Sequence, residues 1–335
     1  MHLPVLSRST AATVELLPAL ARDGGQTWVV VMKQRFAVGD RGGLRRVPGA
    51  AVMKVDELWD PDGHASSVRL PSDACPGKPG ADVVVVGSAL APNRAPVREL
   101  DVLVRVGELR RTLHVTGLRV WYRTMAGLGL TPPEPFREVP LRWEYAWGGC
   151  DLGDPGRALM ERRNPVGRGV ASDPGKLVHQ PGPQIEAAGD PITKPSSRLV
   201  PAGVGAVAPH WEPRLGFAGT MDERWEKERM PLLPLDFDER HYLVAAPGLS
   251  TPKPFVGGEP VQLHGMSERG PLTFALPRLA FGVEAVGRRE RTHYRPALDT
   301  VVLFPGERAV ELTWRAAVRA VGHEPRDILV FEKEA

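Results

Sequence analysis

The chain has 335 residues, of which 42% are hydrophobic and 25% charged, enough for one large or two ordinary domains with a real core. Its 43 Lys and Arg nearly balance 40 Asp and Glu, so a net charge of +3 offers no general polyanion-binding surface. The densest basic run, Arg288 to Arg295, is interrupted by Glu290 and reads as a hairpin tip, so no nucleic-acid partner is expected. Only eight of the basic residues are lysines. The arginine excess suits bidentate and stacked contacts at interfaces. Cys75 and Cys150 form no C-x-x-C pair and call for no disulfide framework. The first ten residues lack the basic and apolar regions of a signal peptide, and no apolar run approaches eighteen residues. The expected compartment is the cytoplasm, with no membrane partner.

Proline (34) and glycine (36) make up about a fifth of the chain and are spread along it, which favours short β elements joined by tight turns. The predicted fold is mainly β: a large antiparallel, sandwich-like body with long Pro/Gly-rich loops and few short helices. Residues 1–27 are assigned to an N-terminal segment, 28–317 to a β-rich domain with a candidate sub-boundary between 150 and 200, and 318–335 to a tail. In chain order, Trp28 to Val38 reads as a strand, followed by turn residues and a return strand at Leu44 to Val47. Asp82 to Leu90 has four consecutive valines and reads as a buried strand. Leu100 to Val106 and Arg110 to Val115 form a hairpin about Gly107-Glu108, the second strand continuing to Tyr122. Pro140 to Trp147 alternates apolar and polar residues as a strand does. Thr220 to Met230 is the clearest helix, with Thr220 and Glu223 as a capping box and Pro231 as its stop. Strands return at Val261–Gly265, Leu272–Leu276, Ala280–Ala285, Thr300–Phe304 and Ala309–Ala317.

Two stretches carry residues suited to a site. Asp56, Glu57, Asp60, Asp62, His64 and Asp73 form the densest cluster of carboxylates and histidine, a donor set that hard cations favour. Asp60-Pro61-Asp62-Gly63 is equally a turn tetrapeptide, and the full Asp-x-Asp-x-Asp-Gly calcium loop with its later glutamate is absent. No metal and no cofactor is assigned. The second stretch runs from Trp143 to Gly169. Tyr145 and Trp147 end in the double glycine Gly148-Gly149, and a long irregular segment closes on Asn164-Pro165-Val166-Gly167-Arg168-Gly169. Its glycine spacing is not that of a phosphate loop. Long ordered loops of this kind are more often functional than not, and aromatics with arginine are enriched at binding hot spots. Tyr145, Trp147, Gly148, Gly149, Asn164, Pro165, Gly167, Arg168 and Gly169 are therefore assigned to partner binding, together with His210 and Trp211. The alternative is that Trp147 is core and that Asn164 and Arg168 only tie the loop down. No serine or cysteine sits in a nucleophile context, and there is no G-x-S-x-G or H-E-x-x-H, so no catalytic residue is assigned.

The segments SSVRLPSDACPGKPGADVVVVG, LRWEYAWGGCD, RNPVGRG, PAGVGAVAPHWEPRLGFAGTMDERWEKERMPLLPLDFDERHY and GGEPVQLHG recur in this order in a bacterial family known mainly as a domain of unknown function. The chain resembles that family from about Trp28 to about Arg315. Members lie beside type VI secretion genes. The resemblance implies an adaptor or chaperone, not an enzyme. It would bind a secreted toxin effector in the cytoplasm and help load it onto the spike, a valine-glycine repeat protein with a PAAR-repeat tip. The family brings no catalytic residues with it.

Two other readings stay open at this level. Trp59 and Trp211 with Asp56, Asp60 and Asp236 are residue types used by carbohydrate-active and other hydrolytic enzymes on β-sandwiches, where a carboxylate pair acts as acid and base. A structural part of the secretion machine is the third. With no metal assigned, treatment with a chelator is expected to leave the melting temperature unchanged. A folding metal would supply several kcal/mol, and a marked drop would restore the Asp56–Asp73 cluster as a ligand set.

Overall fold

The computed structural model describes residues 4–62, 66–153, 156, 158–196, 199–288, 290–319 and 325–333. The chain opens with β1 (Val5–Ser9), β2 (Thr13–Leu20), β3 (Gln26–Val38) and β4 (Leu44–Val47). After a long loop come β5 (Ala81–Val85) and the hairpin β6 (Glu99–Val106) and β7 (Leu109–Thr116), then an irregular middle containing β8 (Ile185–Ala187). The C-terminal third holds β9 (Pro260–His264), β10 (Leu272–Ala275), β11 (Ala280–Val286), β12 (Arg291–Tyr294), β13 (Ala297–Phe304), β14 (Ala309–Arg319) and β15 (Asp327–Lys333). The protein is mainly β, as its turn density and alternation predict.

The strands form three larger sheets. The main one runs Ser250–Thr251, β5, β13, β14, β3, β2, with β4 paired to the far end of β3. Only β5 and β13 are parallel within it, Val83 opposite Val301 and Val84 opposite Val302. A five-stranded antiparallel sheet runs β8, β7, β6, β9, β10, and a four-stranded one runs β1, β15, β11, β12. β1 and β15 pair in parallel from Val5–Asp327 to Ser9–Phe331, while β2 pairs with β3 along its whole length. Residues on both sides of the 28–317 body are thus woven into its sheets. The Arg288–Arg295 run forms the β11–β12 turn and β12 itself, with Arg289 outside the described residues.

The main sheet has two buried faces of different character. Trp28, Val30, Met32, Phe36 and Val38 alternate along β3 onto a core shared with Val310, Leu312 and Trp314 of β14, Val102 and Val104 of β6, and Phe281 and Val283 of β11. Three sheets packed on one apolar core give the sandwich-like body, and period-two alternation is what places these residues together. The opposite face of β3 carries Val29 and Val31, which pack with Leu17 and Val52, and then Lys33 and Arg35. That half is ionic. Lys33 donates to Asp73 at 2.9 Å, and Arg315 of β14 reaches both Asp73 and, through two bonds, Asp299 of β13. All four side chains are less than 5% exposed. Burial works against the Arg315 charge, yet Asp299 and Asp73 overcome it and hold its pKa above the ordinary guanidinium value.

Three local expectations are corrected. The Pro140–Trp147 run is not one strand. Glu138–Pro140 pairs with Ser88–Leu90, and a 3-10 turn at Trp143–Tyr145 then breaks the line before Trp147–Gly148. The break is fixed by Trp143, whose indole N–H donates to the Ala206 carbonyl at 2.9 Å. The helix spans only Glu223–Glu228, with Asp222 as N-cap accepting from the Trp225 N–H at 2.8 Å. Thr220 is taken out of the capping role because its hydroxyl and N–H both donate to Asp236. Finally, β7 ends at Thr116, and Trp121–Thr124 begins a separate ribbon with Gly127–Leu130 because Trp121 packs into a satellite core.

Replacing Arg315 by Met is expected to cost about 3–5 kcal/mol in urea unfolding, because Asp299 and Asp73 are left as buried charges without their shared partner. Unchanged stability would show that the main sheet does not depend on this ion network.

Candidate functional site

The Trp143–Gly169 stretch folds into a clasp. Asn164 is its centre and is fully buried. Its side-chain amide donates to the carbonyls of Trp143 and Trp147, both at 2.9 Å. Its own carbonyl accepts from the Gly149 N–H at 2.8 Å and from Gly167. Trp147–Gly148 then pairs in parallel with Arg168–Gly169, and the Arg168 N–H donates to Ala146 at 2.9 Å. All four glycines of the clasp stand where a Cβ would clash, and two show it best. Gly148 has φ of +149°, and a Cβ there would lie 2.2 Å from the Asn164 carbonyl oxygen. Gly169 has φ of +113°, and its Cβ would lie 2.4 Å from the Trp147 ring. Pro165 follows Asn164 into the turn that sends the chain back toward Trp147.

Arg168 lies over Tyr145, its Cζ 4.4 Å from the ring centroid, and donates to Gln184. Gln184 in turn donates to the Thr116 carbonyl, so the clasp is tied to the end of β7. His210 and Trp211 join from the other side. Trp211 is 1% exposed and meets Trp143 edge-on at 6.2 Å, and its indole N–H donates to His210 Nε2 at 3.1 Å. The assigned residues are therefore brought together, but mostly as scaffold. Trp147, Gly148, Gly149, Asn164 and Trp211 are buried, and of these only Trp147 lines a surface cleft. Pro165, Gly167, Arg168, Gly169 and Tyr145 are half-buried, and only His210 is exposed. Trp211 also leaves the set of exposed tryptophans on which a carbohydrate site was drawn.

What the clasp presents to solvent is a cleft of about 350 Å³, mostly apolar, with Glu161 and Ser196 as the polar part of its lining. Trp147 and Gly169 form its floor, Val170, Ala171 and Pro195 its side, and Leu159 and Met160 its open rim. Leu159 is 47% exposed and Met160 45%. Leu159–Met160 pairs with Cys150–Asp151 as a two-residue ribbon, which holds the rim beside Trp147. Two charged pairs brace it. Asp151 accepts from Lys176 and from Ser172, which depress its pKa well below the usual carboxylate range. Burial raises the pKa of Glu161, but the two bonds from the Arg163 side chain and one from its N–H outweigh it. Beneath the cleft, Trp121, Trp147, Leu177 and Ile192 form a core separate from the main one. Leu159 and Met160 were missed in the sequence because a bare apolar pair in a loop has no periodicity to mark it.

The carboxylates considered for metal or acid–base chemistry are dispersed. Asp73 belongs to the buried ion network, Glu57 pairs with Arg69, Asp56 accepts from the Ser72 N–H, and Asp60 accepts from the Asp62 N–H. Asp236 holds Thr220. His64 lies outside the described residues. Among the described residues, no three His, Cys, Asp or Glu side chains converge as a metal-ligand group. Cys75 is buried and Cys150 exposed, and both are free thiols.

Replacing Asn164 by Ala takes the side-chain donor from the Trp147 carbonyl and one of two donors from the Trp143 carbonyl, which keeps the Ala146 N–H, and is expected to destabilise by roughly 1–3 kcal/mol. Arg168→Ala should cost only about 1 kcal/mol, the worth of one stacked cation. Chemical unfolding of the two variants orders them. Equal losses would mean that Asn164 is not the centre of the clasp.

No curated protein matches the chain, and no solved structure does. The model of one family matches residues 23–315, which span β3 to β14 with the clasp and its cleft between them. That match covers most of the sequence, and the chain belongs to the family described as an uncharacterized protein conserved in bacteria, DUF2169.

Proposed function

We propose that this protein is an adaptor for type VI secretion. It binds a toxin effector in the cytoplasm and helps to load it onto the spike, the valine-glycine repeat protein with its PAAR-repeat tip. The observation that carries this reading is the open, mostly apolar cleft over Trp147. Single exposed apolar residues are ordinary, but a concave apolar surface with Leu and Met on its rim is the form in which proteins accept a partner's anchor side chains. Methionine adds adaptability to such a rim. The clasp below it is rigid: every strand of it is held by hydrogen bonds from Asn164 or across the Trp147–Arg168 ladder. A preorganised floor under an adaptable rim lowers the ordering cost of binding. The chain's resemblance to a family found beside type VI secretion genes supports this choice of partner, and the cleft is the surface that best fits it.

The tagged protein, purified from its native host, is expected to retain a toxin encoded beside its own gene, together with a spike component. Leu159→Asp with Met160→Asp should weaken that capture by roughly 1–4 kcal/mol while leaving the melting temperature unchanged, since both side chains are at the rim. Undiminished capture by the folded double variant would move the interface elsewhere. Retention of neither toxin nor spike would overturn the adaptor reading.

A further inference from the structure

A second and larger cavity, of about 430 Å³, lies away from the clasp, where Trp59 and Arg69 face the Ser88–Leu90 and Glu138–Pro140 ribbon. Its lining includes Trp59, Arg69, Ser88, Glu138, Arg142 and Glu307, with Leu90 and Pro140 as apolar wall. Trp59 is stacked by two guanidinium groups, Arg142 with Cζ 4.5 Å from the ring centroid and Arg69 at 5.6 Å. The two arginines differ in one respect. Arg69 donates to Glu57 at 2.5 Å, whereas Arg142 forms no ion pair or side-chain hydrogen bond among the described residues, and its Nε is fully buried with no partner. The nearby carboxylates are committed or peripheral. Glu144 accepts from the Ser67 N–H and hydroxyl at 2.8 and 2.7 Å, Glu307 is paired with Arg35 at 2.5 Å, and Glu138 stands exposed at the lip.

The two terminal nitrogens of Arg142, unlike its Nε, are not buried, and no acceptor among the described residues bonds them, so they are open to an acceptor from outside the chain. We propose that this cavity binds a carboxylate carried on an apolar body, with Arg142 as its anion receptor and Trp59 as the surface that holds Arg142 in place. The planar fork of arginine matches a carboxylate, and stacking fixes the plane in which the fork is offered. One free guanidinium, with Glu138 at the lip, suits a single negative charge better than a phosphate dianion. The apolar wall then takes the body that carries the charge. Two sources share this chemistry: a free small carboxylate, and the carboxylate of a protein chain at a side chain or a C-terminus.

Calorimetric titration of the intact protein at low ionic strength with three probes tests the assignment. They are sodium isovalerate, the peptide acetyl-Ala-Ala-Leu with a free C-terminus, and the same peptide as its C-terminal amide. At least one of the two acids is expected to bind saturably, and the amide at least roughly tenfold more weakly, the loss of one charge-assisted contact. Isovalerate binding as tightly as the free-acid peptide identifies a small carboxylate as occupant; a peptide advantage of tenfold or more identifies a protein chain. Arg142→Gln should lower acid affinity roughly tenfold or more, and Glu138→Gln should raise it by removing a like charge. Equal affinity of acid and amide, absence of binding by both acids at millimolar concentration, or full affinity in a folded Arg142→Gln protein overturns the proposal. If Arg142→Gln does not fold, the acid–amide comparison and Glu138→Gln decide it, an unchanged or weaker acid affinity in Glu138→Gln counting against.

Discussion

Arg315 and the carboxylates around it set the terms for the main sheet. β14 is the strand that joins β13 to β3, and Arg315 lies on the face turned away from the apolar core. There it binds Asp299 on the neighbouring strand and Asp73 on a loop, while Lys33 on the other neighbour binds the same Asp73. Met53 completes the arrangement by donating its N–H to Asp73 at 2.9 Å. A buried ion network of this kind contributes little net stability compared with an apolar replacement, but it is intolerant of any missing member. Its consequence here is positional. The loop between β4 and β5 cannot lie elsewhere on the sheet without taking Asp73 from both Lys33 and Arg315.

That positional constraint reaches the surface. The loop pinned at Met53 and Asp73 carries Trp59 and Arg69 between those points, and it is this span that closes one side of the Arg142 cavity. A second acid, Asp82 at the start of β5, works in the same way. It is fully buried, pairs with Lys78 at 2.7 Å, and accepts from the N–H groups of Val244 and Ala245 and from Ser250. The irregular segment that follows α1 (Glu223–Glu228) is thereby anchored to the main sheet without regular pairing. Where the chain has few strands, buried carboxylates do the work of a ladder by accepting backbone N–H groups.

The clasp solves a different problem. Long loops rarely enter protein interiors because their backbone groups need partners. Asn164 supplies two donors from one side chain, the parallel Trp147–Arg168 ladder supplies more, and glycines let the backbones approach. Trp147 can then be buried below a loop instead of a sheet. The cleft above it exists because Leu159 and Met160 are held at the rim and not drawn into that satellite core. The cleft over Trp147 and the cavity of Arg142 share no lining residue, and only the second offers arginine side chains to a ligand.

Much of the sheet architecture was legible in the sequence. The continuous apolar run of β3, the valines of β5 and the alternation of β6 and β7 declare buried strands, because side-chain period and burial are local properties. The aromatics and glycines of Trp143 to Gly169 also mark an unusual loop. Local pattern could not say that Pro140 to Trp147 breaks at Trp143, since the break is made by the carbonyl of Ala206, sixty-three residues away. Nor could it rank Asp222 over Thr220 as the helix cap, because Asp236 competes for Thr220 through space. The acidic cluster of 56–73 looked like one ligand set along the chain, and folding distributed it among Lys33, Arg315, Arg69 and backbone donors. The sequence by itself determined the long core strands and the glycine-rich composition of the Trp143–Gly169 loop, because alternation and glycine placement act over neighbouring residues. Only the tertiary structure decided that Trp147, Asn164 and Trp211 are buried, that Leu159 and Met160 are exposed, and that Arg142 stacks on Trp59 with no ion pair among the described residues. Burial and pairing depend on residues that meet only when distant segments pack.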